Sequence, residues 1–112
     1  MDFDDYQKKA AETDSTTKDE DLRFALMYFS MGLAGETGEV IEKLKKAVRN
    51  DGGQISEDKK ELLKKELGDV LWYLSQMAKA MGISFNDVAE VNLKKLADRK
   101  DRGVLKSEGD TR

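Results

Sequence analysis

The chain has 112 residues, 20 basic against 23 acidic for a net charge of −3, and no cysteine, histidine or proline. That length is one domain's worth, and the balanced, intermixed charge argues against a protein that coats nucleic acid. The missing cysteines and histidines exclude disulfides, thiolate nucleophiles, histidine triads and Glu-x-x-His di-iron sites.

No apolar run approaches the ~20 residues of a membrane span, and the acidic start "MDFDDYQ" lacks the apolar core of a signal peptide. A soluble cytoplasmic protein, with no membrane and no nucleic-acid polymer as partner, is the expectation. Abundant Glu, Lys, Leu and Ala without proline predict an all-α fold.

Four helices are predicted in chain order. The first runs from Asp2 to Thr13, with Phe3, Tyr6 and Ala10 on one side, and Asp14-Ser15-Thr16-Thr17 follows as a polar loop. The second runs from Asp19 to Val48, its early acids suiting a helix start. Asn50-Asp51-Gly52-Gly53 is the clearest breaker in the chain. Ser56 caps the third helix, which continues to Met81, where Gly82 supplies a left-handed stop. Ser84, with Asp87 three residues on, resembles a capping box and opens the fourth helix, which runs to Arg102. Residues 100–112, ending "GVLKSEGDTR", read as an irregular tail of a single domain spanning 1–112.

Two stretches repeat one another. Glu36-Thr37-Gly38-Glu39-Val40-Ile41 aligns with Glu66-Leu67-Gly68-Asp69-Val70-Leu71: two acids three apart, a glycine between them and an apolar pair after. With each residue turned by about 100° and Glu66 set at 0°, the apolar arc of the third helix covers Leu62, Leu63, Leu67, Val70, Leu71, Tyr73, Leu74, Met77 and Ala78. Glu66 lies inside that arc and Asp69 at its edge. On the second helix Glu36 lies inside the arc of Ala25, Leu26, Phe29, Gly32, Leu33, Val40, Ile41, Leu44 and Val48, with Glu39 again at the edge.

If the helices pack side by side, four carboxylates converge. Packed like charges and burial both raise carboxylate pKa values, and a metal cation is the ordinary compensation. All-oxygen donors favour hard ions, Mg²⁺ first and Mn²⁺ as a substitute.

A single acid pair at this spacing carries little weight. With acids at about one position in five, four or five such pairs are expected by chance. Asp2 with Asp5, Asp58 with Glu61, Asp87 with Glu90 and Asp98 with Asp101 fit solvated helix faces. The doubled pattern on two apolar faces is what singles out Glu36, Glu39, Glu66 and Asp69.

On the fourth helix Asn92, Lys95 and Arg99 fall where the acids fall on the other two, and Lys43 lies one turn beyond Glu39. Acids, a metal and these cations suit a polyphosphate. Singly, Lys43 and Lys95 also fit snorkelling surface residues or ion-pair partners. Phe29 and Tyr73 are aromatic candidates for holding a base, with core packing the plainer reading of Phe29. Trp72 falls on the polar side of the third helix, which suits a subunit contact or stacking on a base. Four helices in so short a chain leave a small core, and this favours assembly.

Glu36-x-x-Glu39, 26 intervening residues and Glu66-x-x-Asp69 resemble the signature of the MazG-like nucleoside triphosphate pyrophosphohydrolases, all-α enzymes related to dimeric dUTPases and dCTP pyrophosphatases. The resemblance extends through "GLAGETGEVIEKLKK", "KELGDVLWYL", "MGIS" and "NLKKLADR". It implies a four-helix bundle working as a homodimer or homotetramer. It implies Glu36, Glu39, Glu66 and Asp69 as Mg²⁺ ligands, and Asn92, Lys95 and Arg99 facing the triphosphate. The implied reaction is (d)NTP plus water to (d)NMP plus pyrophosphate, in a nucleotide house-cleaning role. The tail lacks the Tyr-Pro-x-Gly-Phe segment of many relatives, and Thr37 stands where dUTPase-like members carry an acid. A non-enzymatic helical interaction module, its metal structural or absent, is the competing reading.

Overall fold

The computed structural model describes residues 1–112 and contains four helices and no strands: α1 (Phe3–Ala11), α2 (Leu22–Asp51), α3 (Glu57–Ala80) and α4 (Phe85–Asp101). Each begins on a short polar side chain that accepts a bond from the third backbone N–H beyond it: Asp2 from Asp5, Asp21 from Phe24, Ser56 from Lys59 and Ser84 from Asp87. Asp2 and Asp5 form a full reciprocal capping box, so this pair has a structural task beyond lying on a solvated face.

The second helix starts later than the sequence suggests. Asp14 accepts backbone bonds from Thr16 and Thr17, and Glu20 N–H donates to Thr17 oxygen, so the chain is still turning where Asp19 and Glu20 lie. At its other end α2 runs to Asp51, and Gly52 (φ 62°) stops it in the left-handed conformation. Gly82 (φ 71°) does the same after α3.

The α2–α3 hairpin is the frame. A residue with a side chain would not fit at Gly32: its Cβ would lie 2.1 Å from the ring of Tyr73. The glycine lets the Tyr73 ring lie flush against α2, one turn before Glu36. Around it Tyr28, Phe29, Trp72 and Tyr73 form a ring cluster with centroids 5.0 to 6.5 Å apart.

The polar side of α3 is covered by α1, through hydrogen bonds. Gln7 Nε2 donates to the backbone oxygens of Ser75 and Ile83, each at 3.0 Å, and Gln76 Nε2 donates back to Gln7 oxygen at 3.2 Å. The Trp72 indole N–H donates to Thr13 Oγ1 at 2.8 Å and to Ala10 oxygen at 3.2 Å. Asp4 then ties α1 to the start of α4, accepting from Ser84 Oγ at 2.8 Å and Asn86 N–H at 2.9 Å. Ser75 and Gln76 are buried and every buried polar side-chain atom has a partner. Trp72, read as an outward subunit anchor, therefore spends its indole N–H inside the protomer.

The apolar arcs are wider than the hairpin can cover. Ala25, Phe29 and Ala78 are buried, but Val48 is 68% exposed and Leu67 55%. The fourth helix packs on α1 and α3 and does not approach α2. The radius of gyration is 16.9 Å, against about 13 Å for a compact domain of this length. No helix is long and apolar enough to cross a membrane.

Gly32→Ala is expected to destabilise the chain by about 1–3 kcal/mol through overpacking against Tyr73. A thermal melt checks it, and an unchanged midpoint would contradict the close approach.

Candidate metal centre

The hairpin register brings Glu36 and Glu39 of α2 opposite Glu66 of α3. One carboxylate oxygen from each lies within 4.8 Å of the other two. Neighbouring oxygens around a single Mg²⁺ at 2.0–2.1 Å lie about 3 Å apart, so the three must draw together by roughly 1–2 Å to share one ion. Glu36 and Glu66 are half-buried and Glu39 is exposed, which leaves one side of the cluster open to a ligand.

Asp69 stands apart from this triad. It shares a groove of about 350 Å³ with Thr13, Glu36, Trp72 and Tyr73. Its charge still reaches the cluster: with burial first, and Glu39 next, Asp69 pushes the Glu36 carboxyl above its ordinary range. Burial and hydrogen bonding to Tyr28 likewise push the Tyr73 hydroxyl up, with Glu36 and Asp69 adding to the shift.

Lys43 opposes the repulsion. Its Nζ lies 3.1 Å from Glu66 Oε1, and this bond first, against partial burial, holds Glu66 below the ordinary carboxylate range. The two glutamates that face one another are thus pulled apart in proton affinity. As the pH falls, Glu36 takes up a proton before Glu66 does.

The sequence-derived set divides in two. Glu36, Glu39, Glu66, Lys43, Asp69, Tyr73 and Trp72 meet between α2 and α3. Phe29, 2% exposed, lies beneath them with its ring against Tyr28, Trp72 and Tyr73, in the core. Asn92 and Lys95 line a different groove, with Ile83, Asp87, Val88 and Val91. Arg99 is buried against the segment that follows α4. Within one chain the α4 cations do not join the acids.

Tyr28, whose ring centroid lies 6.2 Å from that of Tyr73, is a neighbour of the site that the sequence reading passed over. On the α2 wheel it falls at about −80° from Glu36, beside the Glu39 position, so its place was open to the same geometric test.

The MazG nucleotide pyrophosphohydrolase domain matches this chain over residues 28–104. The Gene 37 protein of Mycobacterium phage L5 is 45% identical over 87 residues, which cover 78% of this chain and 76% of that protein. No solved structure matches it.

With no cation present, Glu36→Gln removes one of three crowded charges and is expected to leave the neutral-pH melt unchanged or raised. Lys43→Gln removes the compensating cation and is expected to lower the melting midpoint slightly, the pair being partly exposed. The opposite ordering of the two melts would contradict the charge arrangement.

Proposed function

The chain belongs to the MazG nucleotide pyrophosphohydrolase family, and we propose that it hydrolyses (d)NTPs to the monophosphate and pyrophosphate with a divalent cation held by Glu36, Glu39 and Glu66. The observation that carries this reading is the convergence of those three carboxylates across two helices. Mg²⁺ is the cation their hard oxygen donors favour, with Mn²⁺ as a substitute. A cation bound there would neutralise phosphate oxygens and acidify water.

The chain's own residues supply the rest. Glu36 and Glu66 reach inward from facing helices, so the hairpin fixes their separation before any ligand arrives. Asp69 borders the same groove and adds a fourth carboxylate as it closes on substrate. Glu39 is exposed on the open side and takes the proton of the attacking water. The new P–O bond forms from that water at the α- or the β-phosphorus, the α–β bridge breaks, and the bridging oxygen leaves with the product that was not attacked. Lys43 sits against Glu66 and carries positive charge to the phosphate side. Tyr73 and Trp72 wall the groove beside Glu36 and offer ring faces to a base.

Asn92, Lys95 and Arg99 complete the phosphate contacts when α4 of another copy is brought over the acids. A homodimer or homotetramer is the partner state that supports this. Only ten of 112 residues are buried in a single chain, and Leu67, Val91 and Leu93 are more than half exposed. Clearing surplus or non-standard nucleotides in the cytoplasm is the role that fits.

A panel of NTPs and dNTPs with Mg²⁺ tests the reaction by pyrophosphate release. Glu66→Gln is expected to lower turnover by about 100-fold or more while keeping the helical signal. Near-normal turnover in that variant would contradict the site, and a wild-type chain inert on every triphosphate would favour the non-enzymatic module.

Light scattering is expected to give two or four times 12.6 kDa for the chain, and a smaller mass for Leu67→Glu. A wild-type mass of 12.6 kDa would contradict the assembly.

A further inference from the structure

Lys95 and Arg99 of α4 are already occupied, by the chain itself. After α4, Gly103 (φ 71°) and Gly109 (φ 88°) turn residues 103–112 back toward the helix. The loop is held by its own bonds: Val104 N–H donates to Arg99 oxygen at 2.9 Å, and the Arg112 guanidinium donates to the backbone oxygens of Val104, Leu105 and Gly109. The Arg102 guanidinium donates to the backbone oxygen of Arg112.

This folding delivers one carboxylate. Asp110 Oδ1 accepts from Lys95 Nζ at 3.0 Å and from Arg99 Nη2 at 2.9 Å, and the Asp110 backbone oxygen accepts from the same Nη2 at 2.6 Å. A single oxygen bridging a lysine and an arginine is the arrangement a phosphate oxygen would take.

The clasp is lopsided. The Arg99 side chain is 5% exposed, whereas that of Asp110 is 81% exposed. The cations are thus pre-positioned, and the anion that holds them lies at the surface, free to leave. A triphosphate brings several negative charges to a site where Asp110 brings one, so it can displace the carboxylate. The displacement must be made against a competitor tethered 11 residues from Arg99 and 15 from Lys95, whose effective concentration is in the millimolar range.

We propose that Asp110 is an intramolecular stand-in for substrate phosphate, and that residues 103–112 form a strap that must release Lys95 and Arg99 before a triphosphate engages them. The inference rests on the reading of these cations as the phosphate contacts of a triphosphate hydrolase. It makes substrate affinity depend on a segment that contributes nothing to the metal centre. Affinity falls by the fraction of time the strap is closed.

Asp110→Asn in the full chain is the test, with Asp110→Ala as a second variant. Steady-state pyrophosphate release should show a KM lower by about 3–10-fold at an unchanged kcat, because only the closed-strap fraction is lost. Titration with inorganic tripolyphosphate, read by calorimetry, should tighten by a similar factor, and this readout needs no catalysis.

A KM and a tripolyphosphate affinity that stay the same or weaken would overturn the strap. So would a drop in kcat at equal KM, which would make Asp110 a positioning residue for Arg99. If parent and variants alike release no pyrophosphate, the hydrolase reading fails, and the tripolyphosphate titration still decides whether Asp110 competes for the anion site.

Discussion

Three carboxylates held within a few ångströms of one another repel, and the rest of this structure is arranged so that they stay together. The repulsion is imposed by the register of the α2–α3 hairpin, which sets Glu36 and Glu39 against Glu66. The hairpin tolerates it for two reasons. Lys43 neutralises part of the charge from within the pair, and the Tyr73 ring seated on Gly32 locks the helices at close range beside the acids. A site that crowds like charges and keeps one side open is high in energy without a cation and lower with one. That is the physical sense in which the cluster anticipates a ligand.

The parts of the protein governed by short-range rules were legible in the sequence. Ser56 and Ser84 cap the helices expected of them, Gly52 and Gly82 stop them, and the inward aim of Glu36 and Glu66 follows from helical period alone. What escaped were long-range polar contacts. Gln7, Ser75 and Gln76 look like surface residues on a wheel, yet they bond across 68 and 69 positions of chain. Trp72 sits on the polar side of α3 and still turns inward, because α1 covers that side. Asp98, read as a solvated residue, does stay at the surface, where it pairs with Arg102. No periodicity encodes a polar side chain whose partner arrives from another helix.

The fourth helix and its trailing segment carry the second lesson. Placing Lys95 and Arg99 at the angular positions of the acids suggests one site, but equal angles on different helices do not make neighbours. In the folded chain α4 leans on α1 and α3, away from α2, and its cations meet Asp110. Beyond Asp101 the chain forms turns and no helix, and its bonding is specific. Acids and cations thus lie apart in the folded chain, each with a counter-charge: Lys43 for Glu66, and Asp110 for Lys95 and Arg99. The open shape of the chain and its uncovered apolar stripes are the counterpart of that division.

The claim beneath all of this is that the three glutamates between α2 and α3 are a cation site. Anomalous diffraction from crystals soaked in Mn²⁺ tests it without any assumption about substrate. The account expects a strong peak within bonding distance of the Glu36, Glu39 and Glu66 carboxylates. A well-occupied Mn²⁺ site elsewhere, with those side chains turned out to solvent and no density between them, would contradict it.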